Sequence, residues 1–175
     1  MRRHSDHTTT APNDHRFGNA AVAGSLVATA AVVGGLASRP DDAWYLRLNK
    51  PTWQPPSSAF PVAWTALYAT IAVASTAALN ELDRRGDAEQ AASFRRALAT
   101  NLAVNGAWSW VFFRAHNLGA ATAGAAVLAA SSLGLARRAG RVKPGLGALL
   151  APYAAWTAFA TVLAGTVWWL NRNND

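Results

Sequence analysis

Five stretches of this chain lack any charged side chain, and they limit its fold more than any other feature. They cover residues 17–38, 52–80, 97–113, 117–136 and 144–171, with lengths of 22, 29, 17, 20 and 28 residues. A hydrocarbon core about 30 Å thick is crossed by roughly 20 residues of helix, with a range of about 17–25. All five runs are long enough. Nearly every charge lies between them, although charged residues make up only 14% of the chain. The mean hydropathy of +0.07 hides this, because alanine supplies much of the apolar content and polar residues are segregated. The pattern predicts an all-α integral membrane protein, a bundle of five transmembrane helices at about 18–38, 57–80, 96–114, 117–136 and 146–171. Residues 17–172 form one membrane domain. Residues 1–16, rich in Thr, His and Asp and without periodicity, are expected to be a disordered polar tail. The first apolar run exceeds the 7–15 residues of a signal-peptide core, so it is predicted as a span rather than a cleaved leader.

With no cysteine in 175 residues, a disulfide scaffold, a thiolate nucleophile, a Cys zinc site and an iron–sulfur cluster are excluded. The net charge of +7 has a topogenic reading. With five spans, the N-terminal tail and the loops 81–96 and 137–143 share one side and carry eleven Lys and Arg, against five on the other. That bias predicts a cytoplasmic N-terminus, with the loop between the first two spans and the C-terminus opposite. A nucleic-acid partner is not expected, because no soluble basic domain exists to carry a recognition face.

The segment 39–56 differs from the other connections. It holds Pro40, Pro51, Pro55 and Pro56 together with Trp44, Tyr45 and Trp53. Each proline fixes its own φ and pushes the preceding residue toward extended geometry, so the loop is expected to be stiff. It is either an interfacial aromatic anchor or a lid over an opening among the helices. Ser57 and Ser58 stand near the cap of the helix that follows.

Three aromatic stripes run inside the spans. Phe60, Trp64 and Tyr68 recur every fourth residue; Asn101, Asn105, Trp108 and Phe112 share one face; so do Tyr153, Trp156, Ala160 and Leu163. Helical rise puts Trp64 about 10 Å and Trp108 about 8 Å below the proline-rich loop, and Trp156 about 22 Å below the end of the last helix. Trp110, Trp168 and Trp169 fit an aromatic belt. Ordinary packing explains such stripes as well as a binding site does. The amides of Asn101 and Asn105 favour a site, because in hydrocarbon they need partners. They either join helices or hydrogen-bond a polar group on a flat apolar ligand. On the first span, Ala20, Gly24 and Ala28 recur at a spacing that lets helices approach closely.

No span contains Asp, Glu, Lys, Arg or His, so no acid–base pair or ionisable relay is expected in the bundle. No metal site is expected either. His4, His7 and His15 fall in the tail, and His116 in a short turn, where capping is its default role.

Trp44-Tyr45-x-x-Leu48-x-Lys50-Pro51-x-Trp53-x-Pro55-Pro56, followed by Phe60-x-x-x-Trp64-x-x-Leu67-Tyr68, resembles the signature of the TspO/MBR family. That family comprises the tryptophan-rich sensory proteins and the mitochondrial translocator protein. Asn105-x-x-Trp108-Ser109-x-x-Phe112-Phe113 is similar to its third-helix motif. Pro152-Tyr153-x-x-Trp156-x-x-Phe159-Ala160-Thr161 and Trp168-x-Leu170-Asn171 are similar to its fifth-helix motif. The resemblance runs from about residue 17 to residue 171 and implies a five-helix bundle, usually a homodimer. It implies a receptor or sensor that binds porphyrins, protoporphyrin IX or haem-related tetrapyrroles, beneath the first long loop, with membrane lipid around it and no required cofactor. By carry-over, Tyr45, Trp53 and Pro55 are loop positions near the ligand. Trp64, Asn105, Trp108, Trp156 and Ala160 line the pocket.

Some bacterial members degrade porphyrin in light and oxygen, which would make Trp64 and Trp156 candidate catalytic residues here. Transport of porphyrin or lipid is a further alternative, against which the spans show no clear inverted repeat or broken-helix pair. The chain departs from the family in the last helix. Gly165 and Trp169 stand where the sterol-recognition pattern needs Tyr and Arg, so high-affinity sterol binding is not expected. Gly106 occupies a position where some bacterial relatives carry a glutamine, which implies one lost polar contact to ligand.

Overall fold

The structure, a computed structural model, describes residues 12–173, with side chains from residue 16 onward. It is helical from end to end: α1 (Pro12–Ala37), α2 (Ala43–Arg47), α3 (Ala59–Arg84), α4 (Ala88–Phe113), α5 (Leu118–Val142) and α6 (Pro144–Asn171). Five helices are long. The sixth, α2, is a single short helix inside the proline-rich segment, which was expected to be a stiff loop. Asp42 starts it by accepting a hydrogen bond from the Trp44 backbone N–H at 2.8 Å.

Among the described residues four helices are long and apolar enough to cross a membrane: Arg16–Ala37, Ala59–Arg84, Leu118–Val142 and Pro144–Asn171. The remaining long helix, α4, has 26 residues but carries Arg95, Arg96, Asn101 and Asn105, and it falls short in apolarity. The chain is therefore a multi-pass, all-helical membrane protein.

Short, strongly capped turns join the long helices. Between α3 and α4 the chain reverses through Gly86 at φ +71°, and Asp87 accepts from the Gln90 N–H at 3.0 Å. Asn117 caps α5 by accepting from the Ala120 N–H at 2.9 Å. Lys143 alone separates α5 from α6, where Pro144 takes a first-turn position that needs no N–H partner. There Gly140 and Gly147 meet so closely that a Cβ on Gly147 would lie 2.8 Å from the Gly140 Cα.

Several helices run past the charge-free segments. Residues 81–84 extend α3, residues 88–96 lengthen α4, and residues 137–142 prolong α5. A charge marks where the chain leaves hydrocarbon, whereas a helix ends where its backbone is capped. The rise of 26 residues is about 39 Å, more than the roughly 30 Å core, so the last turns project beyond it. The expected disordered tail falls on residues 1–11, outside the described residues, and on the first turn of α1, which starts at Pro12.

Around the bundle the neighbours run α1–α4–α5–α6–α3 and back to α1, with α3 also touching α4 and α5. The packing divides the molecule. Toward the end that holds the α3–α4 and α5–α6 turns, Leu79, Leu82, Phe94, Leu98, Leu135 and Leu150 form a solid core. The same end is clamped by charge. Glu81, only 7% exposed, pairs with Arg84, Arg85 and Lys143, and the Arg85 guanidinium donates to the Val142 carbonyl at 2.7 Å. The Asn19 side chain joins α1 to this end by donating to Asn80 Oδ1 and Asp83 Oδ2. The opposite half is hollow.

On α1 the buried stripe is Asn19, Ala23, Val27 and Ala30, not the Ala20–Gly24–Ala28 series. Ala20 and Ala28 are exposed, and a Cβ on Gly24 would meet nothing within 4 Å. The small residues that do bring helices together are Gly34 and Gly106. A Cβ on Gly106 would touch Val33 Cγ1 at 3.4 Å.

Candidate functional site

The hollow half holds a cavity of about 330 Å³. Its wall is assembled from the start of α3 (Phe60, Trp64, Tyr68), the second half of α4 (Asn105, Trp108, Phe112) and α6 from Trp156 to Val167. The end of α1 and residues of the loop complete it. All three aromatic stripes thus face one space. The depth count separated Trp156 from the other two tryptophans, but its ring lies 5.9 Å from that of Phe60 at 67°, at the very start of α3. Counting from helix ends treated every helix as beginning at one level.

Aromatic contacts set the wall. Trp108 stacks on Phe112 at 5.3 Å, and its Nε1 donates to the Ala121 carbonyl at 2.8 Å, which ties α4 to α5. Gly124 leaves room for this ring, since a Cβ there would lie 3.5 Å from Trp108 Cδ1. Trp64 leans on Tyr68 at 5.4 Å and meets the edge of Tyr153 at 6.3 Å. The indole N–H groups of Trp64 and Trp156 make no hydrogen bond among the described residues.

Beneath the aromatic wall lies a chain of hydrogen bonds with one direction. The Tyr68 hydroxyl donates to Asn105 Oδ1 at 2.7 Å, and Asn105 Nδ2 donates to the Tyr153 hydroxyl at 3.3 Å. Tyr153 donates to Asn101 Oδ1 at 2.8 Å, and Asn101 Nδ2 reaches Ser131 and Ser132, each at 3.1 Å. The Ser132 hydroxyl donates to the Leu128 carbonyl at 2.8 Å. Both buried side-chain amides of α4 are therefore satisfied, and α3, α4, α5 and α6 are joined. Asn105 and Tyr68 form the end of this chain that lines the cavity. The bundle needs no charge for this, and no Asp, Glu, Lys, Arg or His borders the cavity among the described residues.

The loop closes over the hollow end. Lys50 Nζ donates to the carbonyls of Tyr45, Leu46 and Leu48, and stands 4.5 Å above the Tyr45 ring, so it fastens the C-terminal turn of α2. Tyr45 packs against Phe112 and Phe113 and accepts from Gln54 Nε2 at 3.2 Å. Burial raises the Tyr45 phenol above its ordinary pKa, the Gln54 contact opposing it, so the hydroxyl stays neutral at physiological pH. Asn171, the last residue of α6, holds Asn49. Ser58 occupies the cap of α3, but its side chain makes no capping hydrogen bond.

Of the residues singled out from sequence, Tyr45, Trp64, Asn105, Trp108, Trp156 and Ala160 border the cavity. Trp53 and Pro55 do not. Trp53 is 48% exposed and lies edge-on to Phe159 at 6.0 Å, on the outer side of the loop. Gly106 also stays out of the wall and packs against Ala30 and Val33 of α1. A longer side chain at that place would first have to separate α1 from α4. The sequence reading missed Gln54 and the α1 residues Ala31, Gly34 and Gly35, which border the cavity. Small residues carry no site signal of their own. Trp110, Trp168 and Trp169 are exposed, and Trp110 Nε1 donates to the Val33 carbonyl at 3.0 Å. His116 sits at φ +52° and stacks on Trp44 at 4.1 Å. His4 and His7 lie outside the described residues.

Comparison with known proteins agrees with this architecture. The chain is 33% identical to a tryptophan-rich sensory protein of Cereibacter sphaeroides over 139 residues, 79% of this chain and 83% of that protein. It is 33% identical to the human translocator protein over 125 residues, 71% of this chain and 73% of that protein. An uncharacterized membrane protein of Bacillus subtilis, YtaB, is 32% identical over 127 residues, 73% of this chain and 79% of its own length. A family model described as the TspO/MBR family matches residues 21–170, so this chain belongs to the TspO/MBR family.

Proposed function

We propose that the chain is a membrane receptor or sensor that binds porphyrins, such as protoporphyrin IX or haem-related tetrapyrroles, in the cavity beneath the α2 loop. Its output would be regulation of tetrapyrrole or stress responses. The observation that carries this reading is the convergence of Trp64, Trp108 and Trp156, from three different helices, on one cavity with few polar groups. Aromatic faces suit a flat macrocycle, and the two unpartnered indole N–H groups offer donors to its polar edge. The relatives, a tryptophan-rich sensory protein and a translocator protein by name, support a role in recognition at a membrane.

In the same reading α4 completes a five-span bundle. Its arginines lie near one end, and its two asparagines are satisfied inside. The eleven-to-five bias in Lys and Arg favours a cytoplasmic N-terminus, with the α2 loop and the C-terminus opposite. The exposed small-residue face of α1 offers a surface for a second copy, in keeping with a homodimer. No cofactor, nucleic acid or high-affinity sterol enters this reading.

The test is equilibrium binding of protoporphyrin IX to the purified full chain, beside Trp108→Ala and Trp156→Ala. Loss of a stacking wall should weaken binding about tenfold or more, since an aromatic contact contributes ~1.5 kcal/mol beyond area burial. Unchanged affinity in both variants removes the cavity as the site.

A second reading rests on Trp64 and Trp156 bordering the same space. In light, an indole can donate an electron to excited porphyrin, with dioxygen as co-reactant, and porphyrin is then degraded. Illumination of the complex in air should bleach the porphyrin faster than in a Trp64→Phe/Trp156→Phe variant. Equal rates in the two would leave binding alone.

A further inference from the structure

A second pocket, of about 620 Å³, opens on the loop side of the bundle between α2, the α4–α5 turn and the end of α6. It differs in chemistry from the aromatic cavity. Arg47 from the last turn of α2 and Arg172 just beyond α6 border it, together with His116, and no carboxylate does so among the described residues. Neither arginine takes part in an ion pair among the described residues. Arg172 is held with its guanidinium 4.7 Å above the Trp169 ring, and Arg47 belongs to a helix pinned by the stacking of Trp44 on His116.

Donors other than the arginines converge on the same space. The first amides of α5, those of Leu118 and Gly119, lie upstream of any intrahelical acceptor, and the Asn117 cap serves the Ala120 N–H instead. Both residues border the pocket. Gly119 lets the Trp168 indole come close, for a Cβ there would stand 3.5 Å from Trp168 Nε1. The side-chain amide oxygens in the wall are already taken. Asn171 Oδ1 accepts from Asn49, and Asn117 Oδ1 from Ala120. With two arginines and no carboxylate in its wall among the described residues, the pocket is cationic, which selects an anion with several acceptor oxygens.

Its position names the source of that anion. The pocket lies where α5 begins and α6 ends, beside the exposed Trp168 and Trp169. In a membrane protein, aromatic belts and basic pockets between helix ends mark the headgroup level. We infer that this pocket binds the phosphodiester of an anionic membrane lipid, with Arg47 and Arg172 as its charged ligands and the first amides of α5 beside them. The site is separate from the porphyrin cavity and does not depend on that assignment.

The experiment uses the full chain in detergent, titrated with phosphatidylglycerol or phosphatidylcholine of equal acyl length, and reads retained lipid by native mass spectrometry. Saturable retention of phosphatidylglycerol over phosphatidylcholine is expected. Arg47→Gln/Arg172→Gln should weaken it about tenfold or more, as expected when hydrogen bonds to a charged group are lost. Arg114→Gln should leave it unchanged, because that guanidinium donates to the Leu36 carbonyl away from the pocket. Both arginines are exposed, so circular dichroism of the double variant should match that of the parent. Equal retention of the two lipids, or equal retention by the double variant, overturns the site. Displacement of phosphatidylglycerol by millimolar inorganic phosphate overturns the lipid assignment in favour of a soluble anion; persistence of the lipid supports it.

Discussion

Asn171 grips both backbone groups of Asn49. Its Oδ1 accepts from the Asn49 N–H at 2.9 Å, and its Nδ2 donates to the Asn49 carbonyl at 2.9 Å, across 122 residues of chain. A side-chain amide here does what a neighbouring strand would do, and it fastens the α2 loop to the end of α6.

Asn171→Ala should therefore free the loop while leaving the bundle intact. Two hydrogen bonds go, each with a net contribution of about 1 kcal/mol. Amide hydrogen exchange over residues 44–56 should accelerate several-fold, and exchange in α3 through α6 should stay as it was. Unaltered exchange in the loop would show that packing of Tyr45 and Lys50 is enough to hold it.

Tyr153→Phe interrupts the polar chain at its centre and strands Asn101 Oδ1 and Asn105 Nδ2. Hydrogen bonds between membrane helices average about 0.6 kcal/mol and reach about 1.7. Tyr153→Phe should lower the Tm more than Tyr68→Phe, which removes only the terminal donor to Asn105. Thermal unfolding in detergent, read at several wavelengths, ranks the two. The reverse order would mean that the chain does not act as a unit.

Gly147→Ala should be among the most damaging single-methyl additions in this protein. The new Cβ would sit 2.8 Å from Gly140 Cα and 3.0 Å from the Ala136 carbonyl, both backbone atoms that cannot swing aside. Overpacking of this kind costs roughly 1–3 kcal/mol. Gly134→Ala is the control, since nothing lies within 4 Å of its Cβ, and replacing a helical glycine should be neutral or stabilising. Equal Tm values for the two variants would count against the close α5–α6 crossing.

Ala160→Phe places a ring in the cavity without touching the solid core. Porphyrin affinity should fall more than tenfold, and the Tm should change little. An unchanged affinity, with the Tm also unchanged, would move the ligand elsewhere.

The bundle was legible in the charge-free runs, because burial in lipid forbids charge along a span. Its helix ends were not, since Arg84, Arg95 and Arg138 continue their helices outside hydrocarbon. The stripes carrying Trp64, Trp108 and Trp156 were readable at helical spacing. Their meeting at one level was not, because it depends on where α3 begins relative to α6. Trp53 and Pro55 looked like Tyr45 in sequence, yet they do not border the cavity, and only the folded loop separates those that do from those that do not. The contribution of Gly34 and Gly35 was silent, for a missing side chain shows only once something occupies the space it leaves. The short helix α2 needed Asp42 to be recognised as a cap.

The two halves of this molecule carry separate burdens. Leucines, a clamped glutamate and a pair of touching glycines fix how the rods lie at one end, while at the other the rods part around a chamber. Substitutions around the chamber can accordingly accumulate without unfolding the protein. The shape and polarity of the chamber are thus free to drift over generations on a scaffold that stays put.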